Sequence, residues 1–249
     1  MAPPTIVLIT GVGRGIGRAL AAAYLSKPDH VVIGTVRDPK APKAEELKSL
    51  PTASGSHLLL VGVENTNVED PKEAVKTTEA AGIDHIDVVV DNSGVSIGAA
   101  PLEMADPKYF TESFNINVLS GVVLYQAVSS LLKKSSDPKW ISVSSRGGST
   151  SAPLPWYPYA AAYCMSKAAQ NWFTQTLHVS NESLTAFAIH PGFVLTDMGI
   201  AAAIGAGIDL PETSGAKSAR KIIDVISSAT RESTSGKFLD VDTREEIPW

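Results

Sequence analysis

The chain has 249 residues, 44% of them hydrophobic and 19% charged, which suits one globular α/β domain with a sizeable core. A net charge of -5, without a dense run of Lys or Arg, argues against nucleic acid or an anionic membrane as partner. The single cysteine, Cys164, excludes an internal disulfide and fits a reducing compartment. Segment 1–5 carries neither a positive stretch nor a long apolar run, so no signal peptide is expected and the predicted location is cytoplasmic. No uninterrupted apolar stretch approaches the roughly 18 residues of a membrane span. Asn181-Glu-Ser183 matches a glycosylation acceptor triplet and is read as a chance match.

In chain order, short apolar runs at 6–9, 31–36, 57–63, 86–91, 140–144, 184–190 and 237–241 predict strands. Helical patterns at 15–26, 71–81, 107–134, 159–179 and 213–230 alternate with them, and 41–50 carries a less regular one. The alternation predicts βαβ units in a single α/β domain over 1–249: a Rossmann-type, doubly wound parallel sheet of about seven strands flanked by helices. The nearly all-apolar strands fit a sheet covered on both faces.

The first strand runs into Thr10-Gly-Val-Gly-Arg-Gly-Ile-Gly17, and a run of helix formers follows. A strand, a glycine turn and a helix give this motif its meaning. Gly11 permits the sharp turn. Gly15 and Gly17 let backbone approach a phosphate, which the helix N-terminus favours with unpaired N–H groups. The second strand ends at Val36, where an acidic residue would grip a ribose 2′-hydroxyl. Val36 cannot, but Arg37 follows it and Arg14 lies in the turn. Two guanidinium groups suit a 2′-phosphate, so NADP is expected rather than NAD. The alternative is that both arginines are solvated surface charges. Asp38, turned inward, would repel a phosphate.

The fourth strand leads into Asp91-Asn-Ser-Gly94, a short polar edge with a glycine. The fifth leads into Ser144-Ser145 and then a proline-rich loop, 149–158. Tyr163-Cys-Met-Ser-Lys167 places a phenol and an ammonium on one helix face, since positions i and i+4 are neighbours. A Tyr at its ordinary pKa near 10 is a poor acid at neutral pH, and a nearby cation lowers that pKa toward the working range.

These elements together resemble the short-chain dehydrogenase/reductase family over nearly the whole chain. The family's glycine turn matches Thr10–Gly17, including Ile16, and its N-N-A-G element matches Asp91, Asn92, Ser93 and Gly94 with two substitutions. The resemblance implies an active-site asparagine at Asn117, followed by Val118-Leu119 and later by Gln126-Ala127. Asn115 competes for that assignment. It implies the catalytic serine at Ser145, although family members usually place it closer to the tyrosine; Ser144, Ser149 and Thr150 are the other candidates. It implies Tyr163 as the acid and Lys167 as a cofactor-ribose ligand. In His190-Pro-Gly-Phe-Val-Leu-Thr-Asp-Met198, similar to the family's P-G-x-V-x-T element, it implies cofactor contacts at Pro191, Gly192, Val194 and Thr196. Glu64 and Asn65 fall beside the adenine. His190 is read as a structural histidine.

The T-D-M ending and the C-terminal stretch from Ser235 to Trp249 look like fungal carbonyl and ketoreductases of the norsolorinic acid ketoreductase type, which act in aromatic polyketide pathways. The function this implies is NADPH-dependent reduction of a small-molecule carbonyl to an alcohol by a homodimer or homotetramer, as part of secondary metabolism. No metal is expected. Trp156, Tyr157, Tyr159 and Phe193 point to an apolar, aromatic substrate, or they pack the loop or a subunit contact. Trp172-Phe173 are core candidates. Residues 199–207, almost all Ala, Ile and Gly, are read as a flap over the pocket, near 195–212, in preference to a helix. The rival readings are a non-catalytic NADP-binding regulator and an NADP-linked epimerase or cyclase.

Overall fold

The computed structural model describes residues 3–152 and 157–249. Strand β1 (Thr5–Ile9) passes through the glycine turn into α1 (Gly15–Leu25), followed by β2 (His30–Val36). Over the 41–50 segment, a single turn, α2 (Pro42–Glu45), tightens into a 3-10 turn at Glu46–Ser49 in place of one helix. Only Ala44 and Leu47 there are buried, too little apolar face to hold a longer helix. Next come β3 (His57–Gly62), α3 (Asp70–Ala80) and β4 (Val88–Asp91). A long helical path follows as α4 (Pro107–Phe114), a π-helical turn at Asn115–Leu119, and α5 (Ser120–Leu132). Then come β5 (Lys139–Val143), α6 (Ala161–Ser180) and β6 (Thr185–His190). Two-residue strands β7 (Val194–Leu195) and β8 (Thr213–Ser214) flank α7 (Asp197–Ala206), and α8 (Gly215–Ser228) and β9 (Phe238–Asp240) complete the chain.

The main sheet has the order β3-β2-β1-β4-β5-β6-β9, with every pairing parallel. All seven predicted strands are therefore present, as one parallel sheet. Its strand order reverses between β1 and β4, which opens a crevice at the carboxyl ends of those two strands. Alternate residues of β1 feed two cores. Val7 and Ile9 pack with Leu20, Leu25, Ile222 and Ile226 of α1 and α8 on one face. Ile6 and Leu8 pack with Leu124, Val128 and Leu131 of α5 on the other. Burial on both faces is why the strands read as continuous apolar runs. The path Pro107–Leu132 has 26 residues and a mean hydropathy of 1.3 in its most apolar window, enough by length and composition to cross a membrane. Here the apolar stripe of its α5 half lies against the sheet.

Candidate active site

At the crevice, Thr10 holds the two strand ends together. Its hydroxyl accepts from the N–H groups of Asn92 and Ser93, each at 2.8 Å, and Asn92 Nδ2 donates to the Thr10 carbonyl at 2.8 Å. Gly11 has φ +71°, a left-handed conformation that glycine adopts without strain. A Cβ on Gly17 would collide with the Gly11 carbonyl oxygen and the Asn92 side-chain amide, so helix α1 can pack this tightly only through glycine. No side chain caps the N-terminus of α1, whose first N–H groups are left for another acceptor. Glycine-lined backbone and an uncapped helix start make a cradle that fits a dinucleotide's pyrophosphate. Ile16 belongs to the first turn of α1 and packs against the core cluster there.

At the end of β2, Arg37 is exposed, while Asp38 Oδ1 accepts the Lys40 N–H at 2.8 Å and so closes its own turn. Arg14 is exposed and pairs with Asp197 of α7 at 3.2 Å, a contact of small energy at this exposure. After β3, the Glu64 N–H donates to Asp70 Oδ2 at 2.8 Å. Asn65 lines a surface cavity of ≈ 230 Å³ together with Val63, Thr66, Asn115 and Leu119.

Helix α6 brings Tyr163 and Lys167 to the same crevice. The Lys167 Nζ lies 5.8 Å from the Tyr163 ring centroid. Lys167 is only 3% exposed; its Nζ donates to the Val143 carbonyl at 2.9 Å and to Gln170 Oε1 at 2.8 Å. Burial pushes Lys167 down to about 8, against the pull of the Asp91 carboxylate. A Cβ on Gly94 would sit 3.2 Å from Asn117 Oδ1 and 3.5 Å from Lys167 Nζ, so the Asp91–Gly94 edge touches the lysine directly.

The four candidate hydroxyls differ in their commitments. Ser144 Oγ donates to Asn171 Oδ1 at 2.6 Å, Ser149 Oγ to the Pro248 carbonyl at 2.6 Å, and Thr150 Oγ1 to the main-chain oxygen of Trp249 at 3.1 Å. Ser145 Oγ accepts from the Gly147 N–H at 3.2 Å, and its hydrogen is given to no acceptor among the described residues. The two asparagines separate as well. Asn115 lines the surface cavity, whereas Asn117 is 1% exposed. Asn117 ties the loop after β4 to α6: its amide exchanges bonds with Val95 at 2.8 and 2.9 Å and donates to Ser166 Oγ at 2.8 Å. It lies in the π-helical turn, a distortion frequent at functional sites.

Beyond β6, His190 Nδ1 accepts the Arg146 N–H at 3.4 Å. Burial pushes His190 down to about 4, with Asp240 pulling up and Arg146 down, which leaves a neutral ring at neutral pH. Pro191 offers its carbonyl to Ser218 Oγ at 2.8 Å, and Gly192 turns with φ +83° beside Asp242. Val194 pairs with Thr213, and the Thr196 methyl faces Gly15 across the cofactor cradle.

Residues 199–207 are mainly helix α7, contrary to the preference for a flap without helix. Thr196 caps it, its Oγ1 accepting the Gly199 N–H at 3.1 Å, and Gly207 ends it at φ +63°. Among its residues only Ala203 is buried, and Met198 and Ile204 are exposed, as are Phe193, Leu195, Ile208 and Leu210 around it. Trp156 and the Tyr157 side chain lie outside the described residues. Tyr159 is exposed and its carbonyl accepts the Ala100 N–H at 2.9 Å. Of the core candidates, Phe173 makes edge contacts with Trp140 and Tyr125, whereas Trp172 is 76% exposed.

Sequence reasoning missed two polar residues under the site. Asp91, quoted only as part of a motif, is buried and bonded to Gln170, and burial pushes it up to about 6. A carboxylate ending an all-valine strand, and an amide one helical turn beyond Lys167, were the available signals.

The family model described as short chain dehydrogenase matches residues 5–204. The short-chain dehydrogenase srdF of Neurospora crassa is 43% identical, over 98% of both chains. The norsolorinic acid ketoreductase of Aspergillus parasiticus is 33% identical, over 99% of this chain and 93% of its own. The crystal structure of an NADPH-bound carbonyl reductase from chicken fatty liver superposes with a TM-score of 0.86 at 28% identity and covers all of both chains.

Proposed function

The chain belongs to the short-chain dehydrogenase family, and from that premise we propose that it reduces a carbonyl to an alcohol with NADPH, on a bulky apolar or aromatic substrate. The observation that carries the reading is the meeting of Tyr163, Lys167 and the Asp91–Gly94 edge at the strand-order reversal. The norsolorinic acid ketoreductase relative and the NADPH-bound structural neighbour favour the same cofactor and a ketone substrate.

In this reading the Gly11–Gly17 turn and the start of α1 would hold the pyrophosphate with Thr196 and Val194. Asn92, Ser93, Gly94, Glu64 and Asn65 would contact the rest of the cofactor, and Arg14 and Arg37 would bind the 2′-phosphate. Asp38 closes its own turn, its Oδ1 held by the Lys40 N–H rather than turned toward that anion's arginines. When bound, the nicotinamide supplies the hydride. Tyr163 gives a proton to the oxygen of the reacting carbonyl. Ser145, its hydrogen uncommitted among the described residues, donates to the same oxygen; a donor placed in advance at developing charge contributes roughly 3 kcal/mol. Lys167 lowers the pKa of the Tyr163 phenol and reaches the nicotinamide ribose. Asn117 fixes the loop after β4 against α6, beside Lys167. The exposed apolar side chains of α7 form a lid on the substrate. Met165, Trp172 and Val179, exposed along α6, form the contact with a second copy in a dimer or tetramer.

The test is NADPH consumption by the purified chain with a panel of aromatic and aliphatic ketones, with the product identified. An alcohol from a bulky ketone, with NADPH preferred over NADH and the preference lost in Arg37→Ala, is the expected result. An isomerised or cyclised product, or no turnover across the panel, would refute it.

A further inference from the structure

Beneath the proposed proton donor lies a buried chain of polar groups with a carboxylate at its end. Gln170 is fully buried on α6, one turn past Lys167. Its side chain bridges two charges: Oε1 accepts from Lys167 Nζ at 2.8 Å, and Nε2 donates to Asp91 Oδ2 at 3.1 Å. Asp91, 2% exposed at the end of β4, also accepts from Thr10 Oγ1 at 3.5 Å. A Cβ on Gly121 would come within 2.7 Å of Asp91 Oδ2, so α5 closes over the carboxylate and leaves it no room for another partner. The matching position of the family motif carries asparagine, whose amide could satisfy the same neighbours without a charge. Burying a carboxylate and an ammonium is costly, and each favours the charged form of the other, with hydrogen bonds from Gln170 and Thr10 also favouring the carboxylate. Burial pushes Lys167 down and Asp91 up, and each opposes the shift of its partner.

We propose that Asp91, acting through Gln170, is a positioning residue that keeps Lys167 protonated and holds its ammonium beside Tyr163. The inference rests on the reading of Lys167 as the cation that makes Tyr163 acidic. The groups that face Lys167 and Asp91 are few. Among the described residues the ionisable ones are Asp91 itself from β4 and Tyr163 from α6. β1 contributes Thr10, β5 the Val143 carbonyl, α5 Gly121, the π-helical turn Asn117 and the loop after β4 Gly94, all uncharged. Among the described residues a single carboxylate thus offsets part of the effect of burial on the lysine's proton.

The direct test follows the Lys167 ammonium by NMR through a pH titration of the full chain, labelled at lysine Nζ and assigned by the signal missing in Lys167→Arg. Asp91→Asn keeps the shape and removes the charge; the Lys167 midpoint should fall by about one pH unit. Gln170→Leu keeps the charge and removes the bridge; the midpoint should fall by roughly half as much. The double variant Asp91→Asn, Gln170→Glu moves the carboxylate onto Nζ itself and should return the midpoint to the wild-type value or above. Reductase pH profiles of the same proteins should follow the same order. A lost melting temperature with an unmoved Lys167 midpoint, in either single variant, would overturn the proposal and leave Asp91 a purely structural residue. Either single variant decides the matter if the other fails to fold. A wild-type chain that reduces no ketone would defeat the functional reading above, while the lysine titration would still read the coupling.

Discussion

Thr10→Val removes one hydroxyl and almost no volume, which makes it a sharp probe of the crevice. The hydroxyl serves two main-chain N–H groups, those of Asn92 and Ser93, both at 2.8 Å. Valine leaves both without an acceptor in a partly buried place, at about 1 kcal/mol each, the low end of the usual penalty. The lost bond to Asp91 is long, at 3.5 Å, and adds little. The expected destabilisation is therefore about 2 kcal/mol, or a Tm lower by roughly 4–8 °C for a chain of this length. Thermal unfolding by circular dichroism, beside Thr10→Ser as the variant that keeps the hydroxyl, reads the difference. With Asn92 and Ser93 proposed to line the cofactor floor, NADPH is also expected to bind more weakly to Thr10→Val than to Thr10→Ser. Equal Tm values for the two variants would show that the hydroxyl does not hold the strand ends together.

Two further predictions separate neighbouring residues with different duties. Ser145→Ala should lower kcat by about a hundredfold and, by leaving the Gly147 N–H without its acceptor, cost about 1 kcal/mol of stability; Ser144→Ala should cost a similar amount, by stranding Asn171 Oδ1, with a far smaller effect on kcat. His190 binds its proton at about 4 in the folded chain against 6.5 ordinarily, so below 6.5 the unfolded state takes up a proton that the folded state refuses. Stability owed to this neutral ring is full above 6.5 and declines as pH falls toward 4. His190→Gln should therefore lose less stability than the wild type across that window in denaturant titrations, and parallel curves for the two proteins would contradict the assignment.

The fold was legible because its strands are doubly covered: runs such as 6–9, Ile-Val-Leu-Ile, are apolar without interruption. Tyr163 and Lys167 were legible because helical geometry alone puts positions i and i+4 together. Helix α7 was not, because it buries only Ala203 and so shows no stripe. Trp172 and Phe173 are adjacent in sequence but about 100° apart around α6, so one faces solvent and the other the Trp140 ring. Ser145 ranks above Ser144 on resemblance alone, since the bond that commits Ser144, to Asn171 well along α6, leaves no local signal in the sequence. The Asp91–Gln170 contact joins residues 79 positions apart, and no local pattern announces it.

The central claim concerns the Tyr163 phenol as proton donor, and Tyr163→Phe addresses it with the loss of one oxygen. NADPH binding, followed by the quench or enhancement of its fluorescence, should stay within about threefold of wild type, while the single-turnover rate of ketone reduction falls by about 10²–10⁴. A variant that turns over at near the wild-type rate, or that loses cofactor and rate in equal measure, would contradict the account.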